Sequence, residues 1–190
     1  MATSYQFRGV ELSDGAIAGA SVGYSSGDLS GSIIVTDADT FTETDYNLSY
    51  DASVMGVDLT LGYTLYTYDR DGSNNDDEEQ SEISLSTTIG GVGITYIDGS
   101  GDDAQGNEVD DYDVIALDYS VGNIDITVGM VGSDGDDADY NYFEVSNSTE
   151  VAGITLSATY TGTFSEDDNA AADNGTENRL VFAASKAFDL

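Results

Sequence analysis

Residues 154–164 read Ile-Thr-Leu-Ser-Ala-Thr-Tyr-Thr-Gly-Thr-Phe, and every second residue is a threonine or a serine. The positions between them carry apolar or small residues: Ile154, Leu156, Ala158, Tyr160, Gly162 and Phe164. Successive side chains of a β-strand point to opposite faces. The stretch therefore predicts a strand with one apolar face and one hydroxyl-bearing face.

The same alternation returns along the whole chain, and no stretch has the periodicity of a helix. We expect about twelve such strands of roughly ten residues each, the length with which a tilted strand crosses a bilayer. They begin near Thr3, Ala16, Leu29, Thr42, Val57, Ser81, Val92, Asp111, Asn123, Tyr140, Ile154 and Thr176.

The connections between these segments alternate between short and long. The short ones contain glycine and predict tight hairpin turns: Ser26-Gly27-Asp28, Met55-Gly56, Gly90-Gly91, Gly122-Asn123 and Ala152-Gly153. The long ones are polar and cover residues 69–80, 98–110, 132–139 and 165–178, and shorter connections of the same class lie near Asp14 and Asp39. This rhythm is typical of an up-and-down membrane barrel with both termini on the periplasmic side. We predict an all-β, antiparallel transmembrane β-barrel of about 12 strands, with residues 1–190 as one domain.

Alternation alone does not say whether the apolar face meets lipid or a protein core. Small neutral residues occupy the polar faces in mid-strand, which suits a crowded wet interior. Tyr24, Tyr50 and Tyr119 lie on the apolar face three to five residues before a tight turn, where membrane barrels carry interfacial aromatic residues. No segment looks like a protected edge strand, and a closed barrel has no edges. A soluble β-protein explains these features less well.

Acidic residues dominate the charge of the chain: 37 Asp and Glu against 4 Lys and Arg leave a net charge of -33. Such a surface repels the phosphates of nucleic acids and the anionic head groups of lipids. We expect no nucleic-acid partner and no peripheral membrane attachment through basic residues. The acidity is typical of halophilic or marine proteins.

The chain has neither cysteine nor histidine. It therefore lacks disulfides, thiolate chemistry and the Ser-His and Cys-His pairs on which barrel hydrolases depend. Paired carboxylates of a glycosidase are an alternative, but acidic residues this abundant pair by chance. We expect no enzyme, no cofactor and no dedicated metal site.

No apolar run approaches the roughly 18 residues that a transmembrane helix needs. The start, Met1-Ala2-Thr3, has neither the basic nor the apolar part of a signal peptide. Because a barrel of the bacterial outer membrane must be exported, we expect that a signal peptide was removed and replaced by an initiator methionine.

The two ends of the chain show a family resemblance. Residues 5–15 read Tyr-Gln-Phe-Arg-Gly-Val-Glu-Leu-Ser-Asp-Gly, and a Gly/Ala-rich strand ending in Tyr24-Ser25 follows. This resembles the opening of the TorF-like family of Gram-negative outer-membrane proteins. Residues 179–188, Arg-Leu-Val-Phe-Ala-Ala-Ser-Lys-Ala-Phe, resemble that family's last strand, although Asp189 and Leu190 follow the terminal aromatic residue. The resemblance implies an outer-membrane β-barrel and says nothing about a substrate.

If the apolar faces meet lipid, the opposite faces line a pore. Acidic residues flank the short turns on these faces: Asp51, Asp58, Asp118, Asp125 and Glu150. We predict that they form an acidic ring at the periplasmic mouth, and that Glu82 and Glu144 extend the acidic lining. Rings of Asp or Glu favour cations.

Two basic residues, Arg8 and Arg179, also have pore-lining parity, and the first and last strands of a closed barrel are neighbours. They either neutralise pore acids and plug or stiffen the barrel, which we favour, or bind a substrate. Lys186 has lipid-facing parity near the end of the chain, where its side chain can reach the interface.

The long loops carry dense acidic runs at residues 69–71, 76–79, 102–103, 134–139 and 166–168. Calcium takes oxygen ligands, so weak calcium binding at these loops is one interpretation. An EF-hand loop starting at Asp69 would need glycine at 74 and glutamate at 80, where the chain has Asn74 and Gln80. The other interpretation is a solvated acidic surface.

These observations predict a narrow, porin-like outer-membrane channel that passes small solutes with a preference for cations. One alternative is a non-conducting structural barrel whose acidic loops bind partners or divalent ions. Another is a soluble, salt-adapted secreted β-protein.

Overall fold

The computed structural model describes residues 1–8, 10–13, 15–39, 41–70, 78–102, 108–133, 139–164 and 178–188. These residues form strands joined by turns. They contain no helix, and therefore no helix that is long and apolar enough to cross a membrane. The strands are β1 (Tyr5–Phe7), β2 (Val10–Ser13), β3 (Ala18–Ser26), β4 (Leu29–Asp37), β5 (Phe41–Val54), β6 (Val57–Arg70), β7 (Glu78–Ile89), β8 (Val92–Asp102), β9 (Glu108–Val121), β10 (Ile124–Ser133), β11 (Tyr140–Val151), β12 (Ile154–Phe164) and β13 (Arg179–Ser185).

Eleven of these strands form one antiparallel sheet in which each strand from β3 to β13 pairs with the next along the chain. The predicted all-β, antiparallel, up-and-down arrangement is confirmed at this level. The alternation of apolar and polar residues explains the sheet, since each strand then presents one face of each kind.

The first predicted strand is wrong. Instead of one long strand from near Thr3, the chain forms a separate two-stranded hairpin in which β1 pairs with β2. The chain reverses at Arg8, whose backbone φ is 48°. Alternation in residues 5–13 was compatible with one strand, but the reversal places the two halves against each other. The main sheet therefore has eleven strands rather than about twelve.

The five predicted tight turns are confirmed, since each lies between two consecutive paired strands of the sheet. Glycine supplies the positive φ that such two-residue turns need, for example 81° at Gly56 and 74° at Gly153. Met55 and Ala152 adopt a φ of 54° in the same turns although they carry side chains.

At the opposite end the strands are longer than predicted. β5, β6 and β9 each have 14 residues. Residues 98–102 and 108–110, predicted to lie in a loop, continue β8 and β9, and Asp102 pairs with Glu108. The polar composition of this stretch suggested a loop, but backbone hydrogen bonds between neighbouring strands do not require apolar side chains.

Residues 1–3 lie between the two outer strands of the sheet. Ala2 forms isolated antiparallel bridges with both Ile17 and Ala183. The Thr3 amide donates to the Phe182 carbonyl at 3.0 Å, and the Ala184 amide donates to the Met1 carbonyl at 2.9 Å. This segment therefore links the residue before β3 to β13.

The two faces of the sheet differ in chemistry and burial. We call one the exposed face, because its large apolar side chains are solvent-accessible; they include Ile33, Leu48, Leu61, Leu85, Leu117, Met130, Leu156 and Phe182. We call the other the covered face, which holds the fully buried Glu43, Val114 and Thr161. The described residues thus place their large apolar side chains mainly on the more exposed face, the reverse of the usual arrangement in water.

Candidate functional site

Glu82 in β7 is the centre of a polar cluster on the covered face. Its side chain is only 6% exposed, and it forms an ion pair with Arg8 through Oε1. The Tyr112 hydroxyl donates to the same oxygen at 2.6 Å, and the Tyr66 hydroxyl donates to Oε2 at 3.0 Å. A buried carboxylate is costly unless it is paired and hydrogen-bonded, and these contacts meet both conditions. We call Arg8, Tyr66, Glu82 and Tyr112 the plug cluster.

Arg8 reaches Glu82 from the reversal of the β1–β2 hairpin. The left-handed backbone at this residue is uncommon for a residue with a side chain. Its guanidinium carbon lies 5.4 Å from the centre of the Tyr112 ring, within the range of a cation–π contact. One arginine therefore ties the N-terminal hairpin to β7 and β9 of the main sheet.

A glycine in β8 allows β7 and β9 to meet through their side chains. Gly99 pairs with Glu82 on one side and with Tyr112 on the other. A Cβ atom at position 99 would overlap the Tyr112 ring, so the ring occupies the space that a side chain on β8 would take. The missing side chain brings the Tyr112 hydroxyl to a carboxylate two strands away.

An apolar layer lies beside the plug cluster on the covered face. It consists of the buried Val114, Val131 and Tyr142, with Ile97, Tyr112 and Tyr140 packed against them. Gly129 accommodates the Tyr142 ring as Gly99 accommodates that of Tyr112. Together with the plug cluster, this layer covers the middle strands of the covered face, β7–β11, with packed side chains.

The acidic residues predicted at the turns face hydroxyl groups on the neighbouring strand. Thr60 donates to Asp51 at 2.5 Å between β5 and β6. Between β9 and β10, Thr127 donates to Asp118 and Ser120 donates to Asp125, both at 2.6 Å. Cross-strand hydroxyl–carboxylate bonds of this kind hold the carboxylates in place and stabilise the hairpins.

A repeated motif in the sequence underlies this geometry. Residues 51–60 and 118–127 both read Asp-x-Ser-x-x-x-x-Asp-x-Thr, with the tight turn in the middle. The register sets the first Asp opposite the Thr, and the Ser opposite the second Asp, in both hairpins. The four aspartates were predicted from the sequence, whereas the hydroxyl partners that complete the repeat were not.

The four aspartates come together as two pairs rather than four neighbours. β7 and β8 lie between the hairpin of Asp51 and Asp58 and the hairpin of Asp118 and Asp125. A cavity of about 1190 Å³ lies at the turn end of β5–β8. Its lining includes carboxylate and hydroxyl groups of Asp51, Ser53, Asp58, Thr60, Ser86, Thr88 and Thr95. We call this space the turn-end cavity.

The remaining predicted site residues lie on β11 and β13, in register with residues of β9, β10 and β12. The register sets Asp118, Thr127, Glu144, Thr161 and Arg179 in one row across five neighbouring strands. Glu144 and Arg179 are partly buried. Glu150 is exposed and lies at the turn end of β11, just before the last tight turn. It is therefore outside the plug cluster.

Several residues that complete the site were not predicted from the sequence. Tyr66 and Tyr112 donate to Glu82, and Glu43 is only 1% exposed on the covered face. Their even or odd position along the strand could have identified them as residues of the polar face. Tyr66, for example, shares a face with Thr60 and Thr64 rather than with the apolar residues of β6.

Within the described ranges, no three acidic, histidine or cysteine residues are grouped so that they could hold a metal ion. Most of the acidic loop runs, including residues 76–77, 134–138 and 166–168, lie outside those ranges. Calcium binding by the loops therefore stays a prediction.

Comparison of the chain with protein-family models, with curated proteins and with solved structures finds no match in any of the three. The resemblance of its ends to the TorF-like family stays a prediction.

Proposed function

We propose that the chain is a β-barrel of a bacterial outer membrane, in which the exposed face meets lipid and the covered face lines the lumen. The observation that carries this proposal is the apolar character of the exposed face on strand after strand, for example at Leu48, Leu61, Leu117 and Leu156. Monomeric soluble proteins rarely expose large continuous apolar surfaces, whereas hydrocarbon favours them.

The dimensions of the apolar band support this orientation. In β6 the apolar positions run from Val57 to Leu65, nine residues that span about 26 Å along the strand at about 3.3 Å per residue. A tilted strand crosses the hydrocarbon region with about 9 to 11 residues, so the apolar stretch of β6 is at the short end of this range. Acidic residues of the exposed face lie beyond the band at its loop end: Asp37, Asp69, Asp98 and Asp113.

Closure of the barrel is the second part of the proposal. β3 and β13 run in the same direction, because an odd number of antiparallel strands separates the two edges. Met1–Thr3 lies antiparallel to both of them through the two bridges of Ala2. A short twelfth strand of this kind is what an antiparallel barrel needs to close.

The filled covered face supports the non-conducting form of the barrel. The plug cluster, which lies beside the buried layer of Val114, Val131 and Tyr142, obstructs the lumen between its two ends. We therefore propose a membrane-anchored structural barrel with a closed lumen. The second candidate is a cation-preferring channel that opens when the N-terminal hairpin leaves the lumen, which the carboxylates of the turn-end cavity favour.

Planar lipid bilayers under a salt gradient separate these functions. We expect the refolded protein to need detergent, to migrate differently on a denaturing gel before and after boiling, and to insert without conductance steps. The double variant Arg8→Ala/Glu82→Ala should give discrete, cation-selective steps. Glu150→Gln, which changes an exposed acid outside the plug cluster, is the matched control.

Two results would contradict the proposal in different ways. A protein that stays folded and monodisperse in water without detergent is not a membrane barrel. Discrete conductance steps from the unmodified protein, equal to those of the double variant, would contradict the plug and favour the channel.

A further inference from the structure

An apolar groove lies on the exposed face at Gly31 in β4. Gly31 stands between Tyr24 of β3 and Leu48 of β5, its direct partners in the register. Leu29 and Ile33 bound the groove along β4, because residues two apart share a face. The groove has a volume of about 460 Å³, and none of the residues that line it is charged. We call it the Gly31 groove.

Other glycines that the described strands place on the exposed face are covered by the chain itself. A Cβ atom at Gly162 would overlap the side chain of Asn178. A Cβ atom at Gly132 would lie 2.9 Å from a carboxylate oxygen of Asp113. At these two positions a neighbouring side chain occupies the space that the glycine leaves.

At Gly31 no side chain takes this space. A Cβ atom there would meet only the Asn47 carbonyl oxygen at 3.4 Å and a Leu48 methyl group at 3.8 Å. Tyr24 stands directly opposite but does not lie over the glycine, and its side chain is 77% exposed. The groove is therefore a hollow about one side chain deep, whose lining atoms lack contacts until something enters it.

We propose that the Gly31 groove binds one acyl chain of a phospholipid from the leaflet at the turn end, an inference that rests on the proposed membrane orientation. Leu29 is the first residue of β4 after a tight turn, so the groove lies in the half of the apolar band nearest the turns. The large side chains that line it are aliphatic or aromatic: Val22, Tyr24, Leu29, Ile33, Tyr46 and Leu48. An uncharged lining of this kind suits a hydrocarbon chain, and tyrosine is favoured near lipid head groups.

The structure makes protein segments poorer occupants. A stable interface between two proteins takes about 20 to 30 residues a side, far more than the groove offers to a second copy. The long connections of this chain leave the strands at the loop end, on the far side of the apolar band. Met1–Thr3 lies beside Ile17 and Ala183 at the edges of the sheet rather than over its face.

Native mass spectrometry of the full chain tests the proposal. The protein is refolded in vesicles of dipalmitoylphosphatidylcholine, extracted with detergent and weighed together with the lipid that it retains. We expect about one retained lipid per chain. Gly31→Leu should lower this occupancy by about tenfold or more, the effect of losing the contacts of two methylene groups. The leucine fills the groove, and its Cβ atom fits without a shift of the backbone.

Ala158→Leu is the matched control. It adds the same side chain to the exposed face on β12, where Ala158 pairs with Phe182, and does not touch the groove. We expect this variant to retain the lipid. Both variants should keep the heat-dependent migration of the unmodified protein, which shows that they fold.

The outcomes separate the occupants. Equal lipid retention by Gly31→Leu and the unmodified protein, or no retained lipid in either, would overturn the proposal. A dimer that Gly31→Leu abolishes would assign the groove to a second copy and overturn the choice of occupant. A protein that needs detergent but retains no lipid contradicts only this inference, whereas one that stays monodisperse in water contradicts the membrane orientation as well.

Discussion

At the scale of single residues, missing side chains decide which strands meet across the covered face. Glu82 and Tyr112 are separated by a whole strand, and Gly99 removes the obstacle between them. Gly129 does the same for Tyr142. Aromatic rings that cover a glycine in a neighbouring strand also fix the register of the sheet. The plug cluster therefore depends on a residue that makes no polar contact with it.

Gly99→Ala should move the Tyr112 ring away from Glu82, because a Cβ atom at this position overlaps the ring. We expect a loss of about 1 to 3 kcal/mol in the free energy of unfolding, measured by urea denaturation in micelles. Gly23→Ala is the control, since its Cβ would lie 3.5 Å from the nearest atoms in ordinary contact. Equal losses in the two variants would mean that strand propensity, and not the Tyr112 contact, is responsible.

At the scale of elements, the hairpins are defined by their turns. Where both central residues have positive φ, asparagine followed by glycine is the preferred pair. Met55 occupies the first of these positions with a φ of 54° and is fully exposed. Its side chain therefore adds no packing that would offset the strained backbone.

Met55→Asn should stabilise the protein by about 0.5 to 1 kcal/mol, because asparagine tolerates the left-handed backbone better than methionine does. Thermal unfolding of the two proteins measures the difference. Met55→Leu should be neutral, because leucine, like methionine, is not β-branched and leaves the cost of the positive φ unchanged. A destabilised Asn variant would show that the Met55 side chain makes a stabilising contribution that outweighs the backbone strain.

The hairpin β1–β2 is the element that the proposed function depends on most. It is the only part of the described chain that forms a sheet of its own. Arg8 at its tip joins it to Glu82, 74 residues away in the sequence. The Arg8–Glu82 ion pair is one attachment of this hairpin to the main sheet. A change at either partner would weaken this attachment, since a buried charge without its partner is strongly unfavourable.

At the scale of the whole molecule, charge is distributed by face. The exposed face keeps its acidic residues at the loop end, and the covered face places Asp51, Asp58, Asp118 and Asp125 near the tight turns. If the lumen conducts after release of the plug, these four carboxylates stand at the turn-end mouth.

Changing Asp51, Asp58, Asp118 and Asp125 to Asn in the Arg8→Ala/Glu82→Ala background should weaken cation preference, because the mouth loses four negative charges. The reversal potential under a salt gradient measures the change. The matched control replaces the four exposed-face residues Asp37, Asp69, Asp98 and Asp113 by Asn, which alters net charge equally. Unchanged selectivity in the first variant would rule out the acidic mouth as the filter.

The sequence by itself determined the period of two, the positions of the five tight turns and the polarity of each face. It also determined where the eleven strands of the main sheet begin, to within about three residues. These features are local: strand parity and turn chemistry act over two to four residues and do not depend on distant partners. The repeat at residues 51–60 and 118–127 was also readable, although its hydroxyl partners were overlooked.

Only the tertiary structure decided the N-terminal hairpin, the extension of strands into polar stretches and the plug cluster. Each depends on which strands become neighbours and on the stagger between them, and alternation is equally compatible with many staggers. Parity places Arg8 and Glu82 on the polar side, but their contact, with Tyr112 reaching across Gly99, arises only once β7, β8 and β9 lie side by side.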